Sequence, residues 1–145
     1  MGRPLDWIHQ VVPGLNQHLG QPIDAFLRRM APGISWLRAN WGLSRSPELN
    51  QHPHRNLPRL DASVRPDEVW LRVEHQALVA LPRSGGILFG IRVVVHPLDE
   101  IRRTPAAANG LRRALETMPE DMAVYKGIAP ARESLIRMLS NPAPS

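Results

Sequence analysis

The chain has 145 residues, 43% of them hydrophobic, with 15 prolines, 10 glycines and no cysteine. Such a length suits one domain built of short, interrupted elements, and the missing thiol excludes disulfides, thiolate metal ligands and cysteine nucleophiles. The net charge of +5 comes from scattered arginines and one lysine, Lys126, with no stripe to suggest nucleic acid as a partner. No apolar run approaches the roughly 18 residues of a membrane span, and the start MGRPLDWIHQ has no signal-peptide apolar stretch, so a cytoplasmic protein with no membrane partner is expected.

Residues 1–33 read as helical. Gly2-Arg3-Pro4 can start a short helix carrying Leu5, Ile8 and His9, which Val11-Val12-Pro13-Gly14 breaks. A second helix is predicted over Leu15–Met30, with Leu15, Leu19, Ile23, Phe26, Leu27 and Met30 near helical spacing and Pro22 marking its first true turn. Residues 34–97 read as strands and loop. Ile34–Trp41 alternates as a strand, with Arg38 and Asn40 on one side. Gly42–Pro66, with four prolines and little periodicity, reads as a long loop.

The stretch 69–97 is the strongest signal. Val69, Leu71 and Val73 alternate with Trp70, Arg72, Glu74 and Gln76. A second run sets Ile87, Phe89, Ile91, Val93 and Val95 against Leu88, Gly90, Arg92, Val94 and His96. Leu81-Pro82-Arg83-Ser84-Gly85-Gly86 between them has hairpin chemistry. The expected register puts Val73, Phe89, Ile91 and Val93 on a buried apolar face. Arg72, Glu74, Gln76 and Arg92 then form the other, either the solvated back of a sheet or the wall of a polar pocket. Residues 98–145 read as a helical tail: a start near Pro97–Ile101, a helix over Ala106–Met118, another from Pro119 to Lys126, a last over Ala131–Leu139, and a frayed Asn141–Ser145. The class is α+β.

None of the six histidines His9, His18, His52, His54, His75 and His96 falls in a spaced metal motif. No HExxH, GxSxG, phosphate-binding loop or dinucleotide fingerprint is present. Arg72 and Glu74, two apart on a strand, project to one side, and such a pair keeps the carboxylate ionised for binding a cation.

Six blocks resemble the haem-dependent oxidative N-demethylases, relatives of the dimethylamine monooxygenase subunits. They are Gly2-Arg3-Pro4-Leu5-Asp6-Trp7-Ile8-His9, Val12-Pro13-Gly14-Leu15-Asn16, Arg38-Ala39-Asn40-Trp41, Leu71-Arg72-Val73-Glu74-His75-Gln76, Leu81-Pro82-Arg83-Ser84-Gly85 and Tyr125-Lys126-Gly127. The resemblance covers nearly the whole chain; His75 stands where the family pattern has arginine, and Val11 where it has proline.

It implies that the three strands are the C-terminal part of a PAS-like antiparallel sheet, with N-terminal helices and a C-terminal helical tail. It further implies haem b held by His9 as the iron ligand, and oxidation of a small secondary amine such as dimethylamine with dioxygen. Electrons would come from NADPH through flavin and iron–sulfur partner subunits. Glu74, Arg72 and Arg38 become the expected catalytic residues, and Asn40, Trp41 and Gln76, with His9, the expected cofactor-binding ones. Family members carry a longer N-terminal portion, so the chain is expected to be a truncated, weakly stable part of such a module. A non-catalytic haem or small-ligand sensor, or an inactive fragment, stays open beside the enzyme.

Overall fold

The computed structural model describes residues 2–141; of the expected frayed tail, the part beyond Asn141 lies outside the described residues. In order come α1 (Leu5–His9), α2 (Leu15–Arg29), β1 (Ser35–Ser44), β2 (Trp70–Ala80), β3 (Ile87–Pro97), α3 (Leu98–Arg102), α4 (Pro105–Thr117), α5 (Glu120–Tyr125) and α6 (Arg132–Ser140). The strands form one antiparallel sheet in the order β1-β2-β3, so β2 is central. The α+β class read from the sequence is the one observed.

The hairpin register corrects the expected faces. The Leu81 N–H donates to the Gly86 carbonyl at 2.8 Å beside the turn, and the Leu98 N–H donates to the Val69 carbonyl at 2.8 Å at the far end. Both bonds set the same phase, in which Gln76 stands opposite Ile91 and Glu74 opposite Val93. The polar residues of β2 therefore share a face with the apolar ones of β3, and Ile91 is 52% exposed. Alternation fixes the phase of each strand alone; the loop from Leu81 to Gly86 decides which phases meet, and a one-residue difference exchanges the faces.

Two further expectations change. Pro22 lies inside α2 and does not start it: a proline removes one backbone donor, and the helix keeps its bonds on both sides of that gap. β1 runs on to Ser44, shortening the expected loop. The remaining loop is anchored. Arg45 pairs with Asp61 at 2.7 Å and Glu68 at 3.2 Å, Arg72 donates to the carbonyls of Glu48 and Leu49 at 2.8 and 2.9 Å, and Ser134 donates to the Ala62 carbonyl at 2.9 Å.

The chain divides into two compact units. The first joins the residues up to Ala39 to His75–Arg92. Here Gly14, at φ +67°, turns α1 into α2 in the left-handed region that glycine enters without strain. Phe26 of α2 meets Trp36 of β1 edge to face, centroids 5.1 Å apart. Little apolar surface is enclosed in this unit. Among the described residues of this unit Ala80 is the buried hydrophobic one and Gln76 the buried polar one, whereas Trp36, Leu37, Leu88, Phe89 and Ile91 are exposed.

The second unit joins Asn40–Glu74 to Val93–Ser145 and holds the core: Leu43, Leu60, Val69, Leu98, Leu115, Ile128 and Leu135, with others, form one buried cluster. Arginines close its helix ends, where carbonyls lack partners. Arg132 donates to the carbonyls of Leu115, Glu116 and Met118 at the end of α4, and Arg102 to those of Met138 and Asn141 at the end of α6. These two arginines serve the fold.

Candidate functional site

Position Lys126 follows from a local ending. Gly127 takes φ +67° after α5, and the Ile128 N–H reaches back to the Ala123 carbonyl at 2.8 Å, the bond that closes a helix on a left-handed glycine. Lys126 is thereby held at the helix end. Its Nζ donates to the Trp41 carbonyl at 2.6 Å and to Asn40 Oδ1 at 3.3 Å, and lies 5.4 Å from the centre of the Trp41 ring. Because β1 is an edge strand, its carbonyls are open to such a donor.

Asn40 carries the contact onward. Its Nδ2 donates to Glu74 Oε2 at 3.3 Å across β1 and β2, and Glu74 itself is half-buried. Burial pushes the Lys126 ammonium below its ordinary pKa, and the nearby Glu74 charge draws it back up. The second unit thus holds a carboxylate, an amide and an ammonium in line. An ionised carboxylate with an oriented amide donor can receive the N–H of an alkylammonium.

The other expected residues of this unit have different surroundings. Arg72 turns its guanidinium to the Glu48 and Leu49 carbonyls. Trp41 packs against the core cluster while its ring lies near Lys126. Sequence reasoning gave Lys126 no role; the available signals were its place in a matched block and its being the one lysine of the chain.

In the first unit, Arg38 Nε donates to Oε1 of Gln76, which is 5% exposed. His9 ends α1, half-buried. Among the described residues no group of three or more His, Cys, Asp or Glu could hold a metal ion. A haem asks for less, since the porphyrin supplies four ligands and the protein one imidazole. A groove of about 600 Å³ in this unit is lined by Arg38, Gln76, Gly90, Ile91 and Arg92, among others. It offers uncovered apolar surface and two guanidiniums that can pair with carboxylates. The imidazole that lines this groove is that of His75, and His9 is not among its lining residues.

Helices before and after a three-stranded sheet, with a carboxylate set against an amide and a lysine, define an α+β domain whose sheet carries a polarised acceptor. Residues 1–136 match the family described as haem-dependent oxidative N-demethylase, alpha subunit-like. The chain belongs to that family. Among the described residues, no helix is long and apolar enough to cross a membrane.

Proposed function

We propose that this chain serves the oxidative N-demethylation of a small secondary amine such as dimethylamine, with haem b as cofactor and a PAS-like sheet as scaffold. The observation that carries the reading is the Asn40–Glu74 pair: an oriented carboxylate on a strand is what a dialkylammonium needs, and the matched family is described as an oxidative N-demethylase. Haem, when bound, supplies the iron at which dioxygen is reduced, with electrons from NADPH through flavin and iron–sulfur partners.

His9 would hold the haem iron in this reading, with the Arg92 side chain available to haem carboxylates. Glu74 accepts a hydrogen bond from the ammonium nitrogen, while Asn40 fixes one carboxylate oxygen. Arg38, whose Nε donates to Gln76, would offer its remaining N–H donors to dioxygen when haem is bound. Arg72 acts through the loop it holds, and Trp41 through the wall it forms beneath Lys126.

The test is oxygen uptake by the haem-loaded chain with an artificial electron donor. Uptake that depends on dimethylamine, with formaldehyde released, supports the enzyme. A normal haem spectrum without amine-dependent uptake or amine binding contradicts it.

A further inference from the structure

A cleft of about 390 Å³ lies wholly within the second unit, lined by the end of β1, the loop that follows it and the end of α5. Its walls carry Arg45, His52, Arg59 and Lys126, and among the described residues that line it none is acidic. The four basic groups are not equivalent. Arg45 pairs with Asp61 and Glu68, so its charge is already balanced. Lys126 gives two of its three donors to the Trp41 carbonyl and Asn40 Oδ1. His52 Nδ1 accepts the His54 N–H at 3.3 Å, which puts the ring proton of the neutral imidazole on Nε2. Arg59 is exposed, and its guanidinium has no ion pair or hydrogen bond with any described residue.

We propose that this cleft binds a small organic anion, a phosphate monoester or a carboxylate, held by the Arg59 guanidinium with His52 Nε2–H and the Asn56 carboxamide as further donors. A planar guanidinium matches two oxygens of either anion at once, and the volume falls in the range of roughly 300–1,000 Å³ typical of small-molecule sites. Pro53, Leu57 and Pro58 in the same wall offer apolar surface to the body of the ligand. The loop is shaped for this by Asn56, which takes φ +48° at the end of the Pro53–Arg55 turn and donates its N–H to the Pro53 carbonyl at 3.1 Å. Asparagine enters that left-handed region more readily than most residues. Lys126 adds a partly desolvated positive charge to the wall. None of this rests on the amine reading, since the amine acceptor takes a cation and this cleft an anion.

Calorimetric titration of the full chain with phenyl phosphate and, separately, with benzoate, at fixed ionic strength, tests the site. Lysine carrying 13C at Cε gives one side-chain signal, because Lys126 is the one lysine, and it reports whether the anion enters this cleft. Saturable binding of one anion per chain that shifts the Lys126 signal is expected for at least one probe, and which probe binds decides between phosphate and carboxylate. Arg59→Met is expected to weaken that binding about tenfold or more, the scale of a charge-assisted bond. Arg113→Met, at an exposed position outside the cleft, is expected to leave it unchanged. Asn56→Gly keeps the left-handed backbone and removes only the carboxamide, with an expected loss of about three- to fivefold. No saturable binding of either anion, binding that leaves the Lys126 signal unmoved, or equal affinity in Arg59→Met overturns the site.

Discussion

Asn40 on β1 and Glu74 on β2 face one another across the sheet, amide nitrogen to carboxylate oxygen at 3.3 Å. The pair converts a strand position into an oriented acceptor. Glu74→Gln keeps the shape and removes the charge, so haem binding is expected to be unchanged. Dimethylammonium affinity is expected to fall about tenfold or more, in the range of a charge-assisted hydrogen bond. Difference spectra of the haem-loaded chain during an amine titration give both numbers.

The hairpin phase can be read by crosslinking. Gln76 and Ile91 are opposite each other at a position between the hydrogen-bonded pairs, where Cα atoms approach to about 4.5 Å. Because the chain has no cysteine, the double variant Gln76→Cys with Ile91→Cys is expected to oxidise to an intramolecular disulfide. Val73→Cys with Ile91→Cys, the pairing of faces that alternation alone suggested, is expected to stay reduced. Thiol counting after mild oxidation distinguishes the two.

Arg132 makes three carbonyl bonds at the end of α4, beside the fully buried Leu115. Arg132→Met removes the donors and retains the aliphatic stem. A loss of about 1–3 kcal/mol in urea unfolding is expected, against little change for exposed Arg113→Met.

Lys126 also gives the fold a pH dependence. Its folded pKa lies below the ordinary 10.5, so between the two values the unfolded chain binds more protons than the folded one. Stability linked to this group therefore rises with pH up to about the unfolded value and is flat above it. Thermal unfolding of Lys126→Met is expected to lack that rise, so the wild type gains relative to the variant as pH approaches 10.5 from below.

The elements were legible because each rests on local chemistry. The short α1 before Val12-Pro13-Gly14, the alternation of β2 and β3, and the stripe Leu111, Leu115 and Met118 all needed no partner to be seen. The facing of the hairpin was not legible, since it depends on how the loop from Leu81 to Gly86 closes. Pro22 misled for a related reason: its rule concerns one hydrogen bond, and α2 is held by many. In the site, Asn40 and Glu74 were named from the sequence, but their pairing is a contact between strands 34 residues apart. Lys126 was invisible as a participant because α5 brings it to β1 from 86 residues away. The resemblance made Arg72 an expected catalytic residue, and only the folded loop shows the two carbonyls to which it donates.

His9 carries the central claim, that this chain holds a haem through one imidazole on α1. Haem titration followed at the Soret band, on the full chain and on His9→Ala and His18→Ala, tests it most directly. The account predicts one haem per chain with a histidine-ligated spectrum in the wild type and in His18→Ala, and loss or marked loosening of binding in His9→Ala. A normal histidine-ligated spectrum in His9→Ala, or no haem binding by the wild type, contradicts it.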